Sequence, residues 1–571
     1  MVYTAEALEC PKGTTLPGLL LKLNVNNVAD DRPAMIDGIS GETVYTYSSL
    51  RAAVRRVANY LRTEVKLTHG TVVGILATNS SDFPILVHGI LAAGGVVSAF
   101  NPLYQGQEIA HYLHIAKPGV MLVDSSLTGI LTDGLALAKL DYTPDLYALS
   151  SDTSQGQPWK SFDFGRIIST TPGSLGTPEP HPGLTTGDLA FICFSSGTTG
   201  PMKGVYLTHG NIVANIFQHR QRLPEIFENS ETVAALVTPF FHILGLGVFV
   251  CQYVCQGVPI VVFPKFDIQS LLDAIPRDRS ESLTIFTALI WHTHALIGDV
   301  ILVTHINIVP PIALRLLQAT ATSTIDFSSL KCLINAAAPL KEVVSGGLSQ
   351  RMGCSITQWY GMTEASPSVI SQREDEVGVT GTVGKLLPGM SMKIVDSEGK
   401  EREPKQSGQL LIQGPNLTPG YVGILAAESD AAFIDGYFKT GDIGYINEKG
   451  YVFLVGRSKE LIKVKGHQVA PAELESILLT HPRVRDAAVK GVYVSDHETE
   501  YPVAYVAIDP LLPDSRHLEA DIEVFVNKQV AKYKWLRGGV HIIPAIPRNA
   551  SGKILRHQLP EPAKGKRETR L

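Results

Sequence analysis

The sequence predicts an α/β protein in two parts. A large N-terminal domain, residues 1–455, would layer mainly parallel sheets with helices, and a small α+β C-terminal domain would fill residues 456–571. Three observations carry this. Between residues 20 and 150, strand-like runs alternate with helical ones, as in parallel strands joined by crossover helices. The apolar strand DLAFICFSS (188–196) runs straight into a Gly/Ser/Thr loop. Near residue 456 the texture changes to an amphipathic helix followed by two long strand patterns.

In chain order, TVVGILA (71–77), GVVSAF (95–100) and GVMLVD (119–124) are strands, and SSLRAAVRRVANYLRTE (48–64) and HGILAAG (88–94) are helical. Residues 150–187 are rich in Ser, Gly, Pro and Thr and read as a surface excursion. The most apolar window is 233–263, yet a bilayer span needs about 20 largely apolar residues. Pro239, His242, Gln252, Gln256 and Pro259 interrupt this one, which reads as buried helix and strand. APAELESILLTHP (470–482) is an amphipathic helix, and DAAVKGVYV (486–494) and PVAYVAI (502–508) are strands. No tandem repeat is present.

Composition narrows the function. Hydrophobic residues make up 44% and charged residues 18%, enough for sizeable cores. The net charge of −5 and the absence of a basic stripe with interleaved aromatics give no reason to expect nucleic acid. Six scattered cysteines without a CxxC pair suit a reducing compartment, with Cys251 and Cys255 as core thiols. Glu6 and Glu9 interrupt any secretory leader at the N-terminus.

The loop FSSGTTGPMKG (194–204) carries the first chemistry. It is not a Walker loop: Met202 stands where that pattern needs Gly, and Gly204 follows Lys203 instead of Ser or Thr. Its physics still suits polyphosphate. Glycines let backbone N–H groups turn toward an anion, the hydroxyls add donors, and a lysine adds charge.

The loop resembles the phosphate loop of the adenylate-forming superfamily: acyl-CoA synthetases, 4-coumarate–CoA ligases, firefly luciferase and peptide-synthetase adenylation domains. NPLY (101–104), PFFHILGL (239–246), NAAAPL (335–340), QWYGMTE (358–364), GTVGKLLPG (381–389), FKTGD (438–442), GRSKELIKVKGHQVAPAELE (456–475) and PRNASGKILR (547–556) repeat the family pattern in order over nearly the whole chain. The texture is most similar to the 4-coumarate–CoA ligase-like branch. The resemblance implies a barrel-like subdomain within the large domain and a mobile small domain. It also implies a two-step reaction using ATP, Mg2+ and coenzyme A: a small-molecule carboxylic acid becomes an acyl-adenylate, and a thiol then displaces AMP. Two anions must meet in the first step, so cations have to neutralise charge along the path.

By the same resemblance, Ser195, Ser196, Gly197, Thr198, Thr199, Gly200 and Lys203 would close on the β- and γ-phosphates. Thr363, in the segment with Gly361, would donate to the α-phosphate, and Glu364 would hold Mg2+. Asp442 and Arg457 would contact the ribose. Tyr360 and Ala336, Ala337 and Ala338 would pack on adenine. Lys553 would reach the carboxylate and α-phosphate during adenylation. Lys463 and Gln468 serve from the opposite face of the small domain after a hinge rotation, which brings Lys465, Gly466 and His467 toward the pantetheine tunnel. His242 would gate the acyl pocket. His292 and His294 have no third ligand at metal spacing and receive no role.

Four departures matter. Met202 stands where the family has Pro, and Gly456 stands where relatives have Asp, adding freedom at the hinge. Trp359 stands where many relatives have Gly, which argues for a compact or aryl acid. Residues 277–302 exceed the family's helix and strand, and read either as an extruded loop or as a gene-model error.

The terminal Thr569-Arg570-Leu571 has an imperfect peroxisomal shape, leaving cytoplasm or peroxisome. Two other functions stay open. One is a stand-alone adenylating enzyme loading an amine or a carrier-protein thiol on a separate chain; AALVT (234–238) lacks the acid that amino-acid activation uses. The other is a pseudoenzyme that binds nucleotide without turnover. The sequence leaves the oligomeric state open.

Overall fold

The computed structural model describes residues 2–150, 158–169, 179–195, 202–275, 302–320, 325–340, 342–465, 467–494, 497–508, 517–548 and 552–561. Residues 196–200, the 277–301 segment, Gly466 and the Thr569–Leu571 tail lie outside the described residues.

Two large sheets make the bulk of the fold. In the eight-stranded sheet, Leu189–Ser195, Val96–Phe100, Val72–Leu76, Val120–Asp124, Asp145–Leu149 and Lys160–Ser161 run parallel in that order. Lys203–Thr208 and Tyr421–Val422 add an antiparallel edge beside Leu189–Ser195. The nine-stranded sheet has a parallel centre: Ser355–Gly361, Cys332–Asn335, His305–Ile308, Ala234–Ala235, Ile260–Val262 and Pro33–Asp37. These strands are buried on both faces, which is why they read as continuous apolar runs.

The helix Tyr47–Thr63 shows why such segments fold locally. Thr46 caps it by accepting the Ser49 N–H at 3.3 Å, and Leu50, Val54, Val57 and Leu61 form its buried stripe. Helix His209–Arg222 ties the sheets to the next layer: Asn215 Nδ2 donates to the Ser368 carbonyl at 3.0 Å and Gln218 Nε2 to the Pro388 carbonyl at 2.9 Å. The apolar 233–263 window is buried helix and strand, as expected. No helix among the described residues is long and apolar enough to cross a membrane.

An all-antiparallel six-stranded sheet takes the place expected for the barrel-like subdomain. Its branch point is Tyr437–Ile446, paired with Gly408–Gln413 on one edge and with Phe433–Ile434 and Val452–Arg457 on the other. Further along the chain, Val484–Val494 and Thr499–Ile508 pair antiparallel and Val540–Ile542 joins in parallel. Helices Pro471–Leu478 and Leu518–Asn527 supply Leu474, Leu478, Ile522 and Val526 to a separate core with Val489 and Val506.

One expectation needs correction. The 150–187 excursion is not wholly superficial: Lys160–Ser161 extends the eight-stranded sheet, and Phe162 is fully buried against Tyr60. In this pose Gly456 pairs with Ile443 at the end of a strand. The core reading of Cys251 and Cys255 holds, with both thiols buried and their pKa values pushed up by burial.

Candidate active site

The predicted residues gather where the parallel strands end, the crevice in which α/β sheets bind ligands. Ser195 ends its strand and pairs with Lys203 of the antiparallel neighbour, the two ends of the predicted phosphate loop. Glu364 lies in the turn Thr363–Ala365 and is buried. Its Oε1 accepts from Ser195 Oγ at 3.1 Å and from Tyr421 Oη at 2.9 Å. Its backbone carbonyl accepts the Thr418 N–H at 2.8 Å. Lys203 Nζ stands 5.4 Å from the Tyr421 ring centroid, a cation–π distance. One aromatic side chain therefore orients both the candidate metal carboxylate and the phosphate-loop cation.

Asp442 forms the second centre. It is buried, accepts from Tyr360 Oη at 2.6 Å on Oδ2, and pairs with Arg457 Nε at 3.1 Å on Oδ1. Arg457 thus spends its guanidinium on Asp442 within the paired strands. Burial, with the Asp442 charge next, holds the Tyr360 phenol well above its ordinary range, so it stays a donor. Ala336 is buried. Ala337 adopts φ +70° while the Ala338 N–H bonds the Ala336 carbonyl at 2.9 Å, a tight three-residue turn in a conformation costly for an L-residue.

Lys553 comes from the far end of the chain. It is half-buried within reach of the charges of Arg457, Glu364, Asp442 and Glu460, and desolvation, then Arg457, lowers its pKa. Gly552 sets its approach. Its φ is +82°, and a Cβ there would lie 3.0 Å from Cγ and Cδ of Pro311. Arg548 anchors the turn by donating to Asp486 at 2.8 and 3.2 Å and to the Gly552 carbonyl at 2.7 Å. Arg556 anchors its other end on Glu475 at 2.6 Å and Glu460 at 3.0 Å.

His242 is half-buried beside a small cavity of about 30 Å3, lined also by Thr238, Leu244, Val309 and Ile312. Its Nδ1 accepts the Leu244 N–H at 3.3 Å. Burial, then the Lys553 charge, lowers it to about 4, so it is neutral at ordinary pH. Lys463 and Lys465 are not brought in. Both are exposed on the hairpin Ile462–Val464/His467–Val469, where the Lys463 N–H donates to Glu500 and the Lys465 N–H to Thr499, each at 2.7 Å. Gln468 pairs with Lys463 in that hairpin. Met202, which stands where the family has Pro, packs against a core cluster, and its carbonyl lies 3.2 Å from His111 Nε2.

Sequence reasoning missed Tyr421, Arg548 and Arg556. Tyr421 sits 57 residues from Glu364, and no local pattern marks that bond.

Comparisons with known proteins identify the family. A family model for AMP-binding enzymes matches residues 22–422, and one for the AMP-binding enzyme C-terminal domain matches 473–553. The probable 4-coumarate–CoA ligase 1 of Dictyostelium discoideum is 34% identical over 546 residues, covering 93% of this chain and 92% of that protein. The peroxisomal OPC-8:0-CoA ligase 1 of Arabidopsis thaliana is 33% identical over 534 residues, covering 92% and 90%. Among solved structures, ATP-bound MatB from Rhodopseudomonas palustris superposes with a TM-score of 0.77 at 26% identity, covering 95% of this chain and 98% of that one. A family match over most of the chain, joined by full-length likeness to CoA ligases, makes this protein a member of the AMP-binding, adenylate-forming enzymes and an AMP-forming acid–thiol ligase.

Proposed function

We propose that this ligase joins a compact carboxylic acid to coenzyme A in two half-reactions centred on Glu364, Asp442 and Lys553. In the first, a carboxylate oxygen attacks the α-phosphorus of ATP and pyrophosphate leaves. In the second, the thiol sulfur of coenzyme A attacks the acyl carbon, AMP leaves, and the thiol proton is released.

The observation that carries the reading is the placement of Lys553, half-buried and within reach of the charges of Glu364, Asp442 and Arg457. A cation brought in from the last thirtieth of the chain has no packing reason to enter an acidic cleft. It has a chemical one, because it lowers the repulsion between a carboxylate and a phosphate. Ser195 and Lys203 with the loop between them hold the outer phosphates, and Thr363 donates to the α-phosphate. Asp442, aligned by Tyr360 and Arg457, accepts from the ribose hydroxyls, while Tyr360 and Ala336–Ala338 bound the adenine. Glu364 fits Mg2+: it is one oriented carboxylate in an oxygen-rich site, the arrangement in which that ion shares its remaining positions with phosphates and water. Bound there, Mg2+ would supply charge neutralisation on the phosphates. Lys463, Gln468, Lys465 and Gly466 serve the second half-reaction from the other face of the small domain.

Two features support a compact acid. Trp359 is buried in the row of side chains that contains Val309 and Ala336, and the cavity beside His242 is only about 30 Å3. The tail Thr569-Arg570-Leu571, with the likeness to a peroxisomal ligase, supports delivery to peroxisomes.

The test is pyrophosphate release across a panel of acids with ATP and Mg2+, with and without coenzyme A. Release that requires a particular acid and falls at least about a hundredfold in Lys553→Ala is expected. Acid-independent release, or full activity in the variant, would overturn the reading.

A further inference from the structure

The hairpin that carries Lys463 has one edge completed by side chains. Ile462–Val464 pairs with His467–Val469 in a two-stranded sheet of its own. Ile462, Val464 and Val469 are buried in the core that holds Val489 and Val506, so the alternation along the strand sends Lys463 and Lys465 to the opposite, exposed face. Among the described residues no strand pairs with the other edge of Ile462–Val464.

Two adjacent residues at the start of Thr499–Ile508 fill that edge instead. Thr499 Oγ1 donates to the Lys463 carbonyl at 2.9 Å and accepts the Lys465 N–H at 2.7 Å. Glu500 Oε2 accepts the Lys463 N–H at 2.7 Å. Both backbone polar groups of Lys463 and the N–H of Lys465 are thereby fixed. The Thr499 side chain is buried, and its hydroxyl spends its only proton and a lone pair on two peptide groups that flank Val464. Lys465 has φ +46°, a conformation costly for an L-residue, and the hydroxyl holds it there. Gly491 makes room for the brace: a Cβ there would lie 3.0 Å from Ile462 Cγ2 and 3.1 Å from Glu500 Oε2. On the second strand, His467 stacks on Tyr533 with ring centroids 4.4 Å apart.

The anchors of the Lys553 turn are different residues. Arg548 holds Asp486, and Arg556 holds Glu475 and Glu460. The two lysine-bearing segments of the small domain are therefore braced separately, and one brace can be removed without touching the other.

We propose that Thr499 and Glu500 are positioning residues for thiol transfer, holding the backbone of Lys463 and Lys465 so that both cations arrive aligned when the hairpin turns toward the adenylate. This rests on the role given to Lys463 above and deepens it. Both residues act through the hairpin backbone. A merely structural contribution would weaken both half-reactions, because one small domain carries both lysines. A positioning role slows the second alone.

The experiment times the half-reactions separately, with the acid that supports pyrophosphate release. Adenylation is followed without coenzyme A, and coenzyme A is then mixed with the enzyme-bound adenylate to follow thioester formation. Thr499→Val keeps the shape and removes the hydroxyl; it should transfer about tenfold or more slowly while adenylating within about twofold of the native rate, because a small misplacement of a reacting group is costly. Thr499→Ser should restore transfer. Glu500→Gln keeps an acceptor oxygen and should transfer normally, whereas Glu500→Leu should be slow. Equal losses in both half-reactions, or native transfer in Thr499→Val, would overturn the proposal. Native transfer in Lys463→Ala would overturn the role of Lys463 itself, and the proposal with it. If no acid reacts, amide hydrogen exchange over residues 461–470 decides the brace: faster exchange in Thr499→Val but not in Thr499→Ser supports it, and unchanged exchange refutes it.

Discussion

Mild acid should unfold this protein through its buried histidines. His88, His209 and His219 are fully buried and His305 is 1% exposed. Burial lowers His88, His209 and His305 to about 4 and His219 to about 3. An unfolded histidine titrates near 6.5. As pH falls through that value the unfolded chain takes up protons that the folded chain refuses until about pH 4. Stability is therefore intact above pH 6.5 and is lost as pH falls from 6.5 toward 4. At pH 5 each group has crossed about 1.5 units, or about 2 kcal/mol, and four together reach about 8 kcal/mol. A domain's whole stability is about 5–15 kcal/mol. Urea denaturation between pH 7.5 and 5, with calorimetric measurement of proton uptake in buffers of different ionisation heat, reads this directly. At least four protons should be taken up on unfolding at pH 5, with His242 adding to these four rings, and about one fewer in His209→Phe, both of whose ring nitrogens are unpaired among the described residues. A denaturation midpoint flat from pH 7 to 5, or an uptake unchanged by His209→Phe, would refute the reasoning.

Two other outcomes follow from named residues. Gly552→Ala forces a left-handed L-residue, costing about 1–2 kcal/mol, and sets a Cβ 3.0 Å from Pro311. It should slow pyrophosphate release at least about tenfold while affecting thiol transfer from a preformed acyl-adenylate less, and equal losses in both half-reactions would count against the placement of Lys553. A fluorescent protein fused ahead of the chain should enter peroxisomes and become diffuse when Thr569–Leu571 are removed; a diffuse signal from the intact fusion would refute the peroxisomal address.

What the sequence made legible is what is local. The strands at 72–76, 96–100 and 120–124 showed as apolar runs because both faces of a parallel sheet are covered. The site motifs showed because loops at strand ends keep their chemistry within a few residues. What stayed hidden depends on distant pairs. Ser195 and Glu364 meet across 169 residues, and Tyr360 and Asp442 across 82. Composition misled at one place for the same reason: Phe162 sits in a polar segment but finds Tyr60 and Tyr147. Unpaired atoms such as Asn307 Nδ2 have no sequence signature at all, since an asparagine in an apolar strand looks the same with or without a partner.

The arrangement of arginines bears on how one small domain could serve two half-reactions. Arg548 holds the Lys553 turn to Asp486, and Arg556 holds it to Glu475 and to the Val489 carbonyl, all within residues 456–571. On the proposed two-pose cycle these contacts travel with the domain and need not break. The contacts that must break are those Lys553 and Gly552 make with the large domain: the charges of Glu364 and Asp442, and the packing on Pro311. Desolvation of the lysine is itself unfavourable, as its lowered pKa shows, and the substrate carboxylate charge and the two outer phosphates are gone once pyrophosphate has left, while the α-phosphate, Glu364 and Asp442 keep theirs. On this reading the first half-reaction loosens the hold on Lys553. Lys463, already exposed with its backbone fixed on Glu500, is free to swing in without refolding its hairpin. The turn is held rigidly to its own domain and only conditionally to the other, which is the asymmetry a reversible rotation requires.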